Sequence, residues 1–256
     1  MSSKSNNIKT LMLSWRYNRE SPSLENAVGN RLAEKGYLEK LLTKGGKRYN
    51  KNLERSHHIR GLLANLWHSK VSLKIKKPSN YKIAKQLFLD RVGTRELKNC
   101  NVVYTGMNGF PQTIKKAKEM GIPTVVSHLV NHPIDIRKVL DEEYSKFNFL
   151  DKYHVPHSEG FDQIMKSRLE SLEYADSILV GSTATLNSNI ASNIPRSKMK
   201  IIPAGINVNE FYSEKKKEDI FRVICVGHGV LTRGINYLVE AWQNLSLDSA
   251  ELIIIG

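Results

Sequence analysis

The 256-residue chain contains only two cysteines, eight prolines and no apolar run long enough to cross a membrane. Cys100 and Cys225 lie far apart, without His or Cys neighbours at metal-ligand spacing, which argues against a disulfide framework and against a paired-cysteine zinc site. The first fifteen residues lack the small-residue cleavage pattern of a signal peptide and are more typical of a first strand. These absences predict a cytoplasmic protein without a membrane-spanning helix.

The composition is that of a folded protein. Hydrophobic residues make up 40% of the chain and charged residues 25%, a balance that excludes disordered and collagen-like classes. The length fits one large domain or two smaller ones. No internal repeat or low-complexity tract is present.

The net charge of +14 comes from the first part of the chain. Residues 1–100 carry a net charge of +15 and the remainder carries −1. Within residues 44–77, ten basic residues face a single acid, and a stripe at helical spacing runs through the same segment: Ile59, Leu62, Leu63, Leu66 and Trp67. A basic amphipathic helix predicts contact with an anionic membrane surface, whereas packing of the stripe on the protein's own core is the alternative. A solvated, solubility-giving face is a further interpretation of the charge.

Short apolar runs alternate with amphipathic stretches along the chain, which predicts an α/β fold with a doubly wound parallel sheet. Strands are expected at 8–15, 37–42, 101–105, 122–127, 176–180, 199–202, 221–226 and 251–255. Helices are expected at 23–36, 52–68, 80–91, 110–120, 133–146, 160–174, 182–192 and 234–245. A segment rich in Asn and Lys, residues 204–219, predicts a linker between a first domain (1–203) and the start of a second (220–256).

Three segments carry a family resemblance, in the order and at the spacing that the family shows. They read EYADSILVGS from Glu173, MKIIPAGINVNEF from Met199 and FRVICVGHGVLTRGINYLVEA from Phe221. Together they resemble family-4 retaining glycosyltransferases (glycosyl transferases group 1). The resemblance implies a GT-B architecture, in which a first Rossmann-like domain binds the acceptor and a second binds a nucleotide-diphosphate-sugar. It also implies that no metal or other cofactor is needed, and the Asp-x-Asp motif of metal-dependent glycosyltransferases is absent from the sequence.

The donor site implied by the resemblance lies at a strand-to-helix turn in the third segment. Glycines there let the backbone approach a ligand, and a cation neutralises the departing diphosphate. Arg233 stands where the family usually has Lys, and His228 where many members have Arg. The expected donor-binding residues are Gly205, Gly227, His228, Gly229, Arg233 and Gly234. The alternative is a glycine-rich turn without a ligand.

The acceptor side is expected at the end of the strand 122–127. By resemblance, His128 contacts the transferred sugar or the acceptor hydroxyl, so that His128 and Arg233 are the predicted catalytic residues. His132, Arg16 and Arg19 are predicted to bind the acceptor, with a loop histidine or a helix cap as the structural alternative for both histidines. The resemblance thus predicts sugar transfer to a sugar or lipid-linked acceptor, in polysaccharide or glycolipid synthesis at the cytoplasmic membrane face.

Two rival functions remain open at this point. One is a nucleic-acid-binding module that uses the basic first half, although its aromatic residues do not cluster as a stacking platform and no nucleic acid is expected as a partner. The other is an inactive acceptor-binding product, because the family's pair of glutamates that grips the donor has no counterpart before Gly256. The chain is therefore expected to be a fragment that ends within the donor domain.

Overall fold

A computed structural model describes residues 8–14, 24–43, 78–107, 109–147, 159–205, 208–210, 220–227 and 231–256. Within these ranges the strands are β1 (Thr10–Ser14), β2 (Leu38–Thr43), β3 (Val102–Thr105), β4 (Thr124–Ser127), β5 (Ser177–Val180), β6 (Met199–Ile201), β7 (Phe221–Val226) and β8 (Ala250–Ile255). The helices in the same ranges are α1 (Leu24–Glu34), α2 (Pro78–Glu96), α3 (Pro111–Glu119), α4 (Pro133–Lys146), α5 (Glu159–Tyr174), α6 (Thr183–Ala191) and α7 (Ile235–Leu245). All the expected strands are confirmed, as are the expected helices except that at 52–68, which lies outside the described residues together with the basic segment 44–77.

The chain divides into two compact units. The first comprises residues 1–135 and 154–204, and the second comprises residues 136–153 and 205–256. The expected linker at 204–219 stays a prediction, since most of it lies outside the described part of the chain.

The first unit is built on a six-stranded parallel sheet with the order β2-β1-β3-β4-β5-β6. Every residue of β1 is buried, because this central strand is covered on both faces, as its continuous apolar sequence predicted. Val28 and Leu32 of α1 pack with Met12 on one face. Helices α2, α3 and α5 pack against one another, and their apolar side chains join two clusters on the other face, including Leu89, Ile114, Ala117 and Leu172. The doubly wound α/β fold is thereby confirmed.

Helix α3 begins with an unusual cap. Its preceding residue, Phe110, supplies no side-chain hydrogen bond. Instead, the carboxylate of Asp90 on α2 accepts hydrogen bonds from the amides of Gln112, at 2.9 Å, and Thr113, at 2.8 Å. A buried carboxylate from another helix therefore satisfies the free amides that every helix start presents.

Cys100 closes the segment between α2 and β3 and lies in the core. Its Sγ contacts the Glu96 carbonyl at 3.6 Å. Burial, with a smaller contribution from Glu39, raises the pKa of the Cys100 thiol to about 11.

The second unit contains a parallel pair of strands, β7 and β8, joined through α7, as expected for the first strand–helix–strand of a further Rossmann-like sheet. Its α7 also contacts the end of α4. The Tyr237 hydroxyl donates to Glu143 Oε1 at 2.8 Å, and the rings of Phe147 and Tyr237 meet edge to face, 6.1 Å between centroids. None of the helices in the described ranges is both long enough and apolar enough to cross a membrane.

Candidate functional site

The strand order places a ligand crevice at one edge of the first sheet. The chain moves from β1 outward to β2 and then returns to β3 on the other side of β1. In open parallel sheets, ligands bind outside the carboxyl ends of the strands near such a reversal. The side chains that follow β1, β3 and β4 are therefore the candidates for binding in this unit.

The carboxyl group of Glu25 lies between the carboxyl ends of β1 and β3. The Ser14 hydroxyl donates a hydrogen bond to Glu25 at the start of α1. A side chain at Gly106, which follows β3, would overlap the Glu25 carboxylate. Burial raises the pKa of Glu25, and hydrogen bonds from Ser14 and from the Met107 amide only partly oppose this. Glu25 therefore holds a proton more readily than an ordinary glutamate.

Beyond β4, two histidines are buried side chains of the first unit. His128 is 1% exposed and His132 is 3% exposed. The His128 amide donates to the Leu179 carbonyl at 2.8 Å, and the His132 amide donates to Ser188 Oγ at 2.8 Å. These two hydrogen bonds attach the loop between β4 and α4 to β5 and to α6. They hold both histidine rings at the edge of the sheet.

The His128 ring is neutral at physiological pH. Burial, then the positive charges of Arg168 and His132, lowers the pKa of His128 to about 4. A hydrogen bond with the Asn131 backbone favours the charged form, which means that the ring donates and the carbonyl accepts. Nε2 has no partner among the described residues, so Nδ1 is the donor, and the Nε2 lone pair is free to accept a hydrogen bond from a ligand hydroxyl.

His132 lies beside an acid. Burial lowers its pKa, and the carboxylate of Asp135 opposes the shift. The same carboxylate accepts a hydrogen bond from Ser188 Oγ at 2.8 Å. Among the described residues, His132 Nδ1 is buried without a hydrogen-bond partner, so the predicted acceptor-binding histidine also offers an unsatisfied ring nitrogen.

Arg168 on α5 belongs to the same site and was missed in the sequence. Its Nε is buried without a partner, and its charge lowers the pKa of His128. A signal was present, because Arg168 occupies the position on the buried face of α5 between Met165 and Leu172, at spacings of three and four residues. A cation at such a position is uncommon unless it is paired.

The predicted donor turn has an open geometry at the residues that the structure describes. After β7, the Gly227 amide donates to the Ile255 carbonyl at 2.7 Å, and a side chain there would meet no atom within 4 Å. Gly234 takes the left-handed conformation, φ 68°, directly before α7, which disfavours other residues there. Arg233 is exposed beside it.

The remaining predicted site residues are placed as follows. Gly205 is exposed, and a Cβ added to it would meet no atom within 4 Å. Arg16, Arg19, His228 and Gly229 lie outside the described residues, so their roles stay predictions. Within the described ranges, no group of three or more His, Cys, Asp or Glu side chains is arranged to hold a metal ion.

No protein-family model and no curated protein matches this chain. Solved structures do match. The UDP-GlcNAc 2-epimerase of Methanocaldococcus jannaschii, in complex with UDP-GlcNAc and UDP, is 10% identical with a TM-score of 0.47, over 96% of this chain and 65% of that one. The UDP-GlcNAc 2-epimerase of Neisseria meningitidis, bound to UDP-GlcNAc, is 12% identical with a TM-score of 0.44, over 97% and 73%. LpCGTa in complex with UDP is 8% identical with a TM-score of 0.46, over 97% and 70%. At these values the likeness assigns no ligand or reaction to this chain.

Proposed function

We propose that this chain acts on a nucleotide-diphosphate-sugar and that it forms the acceptor side and the start of the donor side of a metal-independent glycosyltransferase. The observation that carries the proposal is the turn between β7 and α7. No atom of the described residues lies within 4 Å of a Cβ added at Gly227, Gly234 is left-handed, and Arg233 is exposed. The sequence of this segment resembles the donor-binding block of family-4 enzymes.

The chemistry of the leaving group explains why these features support the proposal. A nucleoside diphosphate gains negative charge as the bond to the sugar breaks, and that charge must be stabilised without a metal. An arginine fork binds two phosphate oxygens at once. The amino-terminal end of α7 adds free amides and the positive end of a helix dipole.

The acceptor side is supported by the state of His128. Because its Nε2 has no partner and the ring is neutral, this atom accepts a hydrogen bond from a sugar or acceptor hydroxyl and orients it. A retaining transfer needs the hydroxyl held near the anomeric carbon. His132, with its own unpartnered nitrogen, is proposed as a second contact to the acceptor.

The test is sugar transfer by the full-length protein from UDP-, GDP- and ADP-sugars to a panel of acceptors, followed as acceptor-dependent release of nucleoside diphosphate. We expect Arg233→Ala to lower kcat by about 10²–10³, as loss of a transition-state charge contact does. Arg95→Ala removes another exposed guanidinium, from α2, and should leave the rate unchanged. An Arg233→Ala enzyme with the normal rate, or nucleotide release without transfer, contradicts the proposal.

The proposed setting is polysaccharide or glycolipid synthesis on an anionic membrane surface, through the basic segment 44–77. We expect vesicles that contain phosphatidylserine to sediment the protein at low salt, whereas neutral vesicles should not. Equal sedimentation with both kinds of vesicle contradicts the electrostatic contact. Tight, steeply salt-dependent binding to nucleic acid would favour the rival function instead.

A further inference from the structure

A partly buried cation without a counter-ion among the described residues lies in the first unit. Arg168 occupies the buried face of α5, and burial alone accounts for the lowering of its pKa. A guanidinium nevertheless stays protonated in proteins. Its Nε has no hydrogen-bond partner, and no ion pair within the described residues involves it. Partial burial of a charge, with one of its nitrogens enclosed and unpartnered, is unfavourable unless something neutralises that charge.

The acidic side chains of the neighbouring elements interact with groups other than Arg168. The Asp135 carboxylate accepts from Ser188 and acts on His132. Glu170, on α5 itself, acts on Asp90, whose carboxylate caps α3. Within the described part of the chain, the negative charge that Arg168 lacks is therefore not supplied by a neighbouring side chain.

The loop after β3 lies directly on the backbone of Arg168. A Cβ at Gly109, φ 76°, would lie 2.6 Å from the Ser167 carbonyl oxygen and 2.8 Å from the Arg168 amide nitrogen. The Gln86 side-chain amide donates to the Gly109 carbonyl at 2.8 Å and holds the loop there. These contacts fix the backbone of Arg168 beneath the loop that leaves the carboxyl end of β3.

We propose that Arg168 binds an anionic group, a phosphate or a carboxylate, of the acceptor molecule, whose hydroxyl group donates to Nε2 of His128. The proposal rests on the proposed function, because it makes the carboxyl edge of this sheet the acceptor site. Two complementary features carry it: a cation without a counter-ion and, close by, a buried ring nitrogen without a donor. A molecule with an anionic group near a hydroxyl satisfies both.

The shape of the guanidinium favours this class of ligand over a neutral sugar. Its planar fork forms parallel hydrogen bonds to two oxygens of a carboxylate or a phosphate. A neutral acceptor would leave the charge of Arg168 uncompensated. The Arg168 charge would therefore not strengthen the binding of such an acceptor. Phosphate and carboxylate share this chemistry, so matched compounds must separate them.

The experiment uses three small probes: glycerol 3-phosphate, glycerate and glycerol. Affinities are measured by ligand-observed NMR titration of the full chain without any nucleotide-sugar, at pH 8 and constant ionic strength. The variants are Arg168→Met, which keeps the volume and removes the charge, Arg168→Lys, which keeps the charge, and Arg95→Met as an exposed control. Circular dichroism checks folding, and Arg168→Gln replaces Arg168→Met if the latter does not fold.

We expect at least one anionic probe to bind ten-fold or more tightly than glycerol. Arg168→Met should abolish this preference, Arg168→Lys should retain part of it, and Arg95→Met should retain it fully. The tighter of the two anionic probes identifies the phosphate or the carboxylate source. A wild-type protein without the preference, or an Arg168→Met variant that keeps it, overturns the proposal. Because no nucleotide is present, this outcome is independent of the Arg233 test of sugar transfer.

Discussion

Lowering the pH from 8 to 5 should tighten the binding of sulfate to the site beside Arg168. Sulfate does not change its own charge in this range, so any pH dependence comes from the protein. The groups that face the His128 ring are the Arg168 guanidinium, the His132 ring and the Asn131 carbonyl, while Asp135 acts on His132. The uncharged form of His128 predominates until the pH approaches its pKa of about 4.

The magnitude follows from the charge that the anion brings. A neighbouring opposite charge raises the pKa of a histidine by about one to three units. A rise of about two units moves the pKa of His128 from about 4 to about 6 in the complex. Binding then takes up a proton below pH 6, and the affinity at pH 5 should exceed that at pH 8 by about tenfold. Burial is the largest cause of the lowered pKa of His128, and a bound anion does not remove it. A tenfold increase in sulfate affinity is therefore an upper value.

Isothermal titration calorimetry in buffers of different ionisation enthalpy measures both the affinity and the proton uptake. His128→Gln should remove most of the pH dependence while Arg168 keeps the anion bound. Arg95→Met, which removes an exposed guanidinium from α2, is the control and should keep the dependence. The reasoning fails if the wild-type affinity is flat between pH 8 and pH 5, or if His128→Gln retains the slope.

Three further predictions concern the supports of the site, all measured as changes in the free energy of unfolding by urea denaturation. Asp90→Ala should cost about 2 kcal/mol, because it leaves two amides at the start of α3 without their charged acceptor; a loss below about 0.5 kcal/mol would contradict this role, and Asp90→Asn should lose less. Gly109→Ala should cost about 2 kcal/mol or more, since φ 76° and the 2.6 Å approach to the Ser167 carbonyl both exclude a side chain; an unchanged stability would refute that packing. Ser182→Ala should cost about 1 kcal/mol, because Ser182 Oγ accepts from the Thr185 amide at 3.1 Å and caps α6, whereas Ser182→Asp should retain the cap.

The fold was predictable because local pattern and tertiary burial agree. The run Leu11–Leu13 is apolar on both faces, and the structure buries it completely between helices. The strand expected at 37–42 is also present, as β2, which pairs with β1 and buries Leu41 and Leu42. Helix boundaries were close because Gly36 and Gly121 take the left-handed conformation after α1 and α3.

The site was only partly predictable. His128 and His132 follow a recognisable strand, so their place at the sheet edge could be inferred. Arg168 was not found, because basic residues in an amphipathic helix are usually solvent-exposed. Its spacing from Met165 and Leu172 was the one signal in the sequence, and the packing of α5 shows that its Nε is enclosed. The partner of Glu25 was equally hidden, since Ser14 is eleven residues away and meets it only when β1 and α1 form.

The burial of Cys100 has a practical consequence for labelling. Its thiol, with a pKa of about 11, is almost entirely protonated at neutral pH and therefore a poor nucleophile. Cys225, the other cysteine of the chain, is only half-buried and lies two residues before Gly227. A maleimide fluorophore added to the unmodified sequence should consequently attach next to the glycine turn, where a change in its emission on addition of a nucleotide would test the proposed donor site.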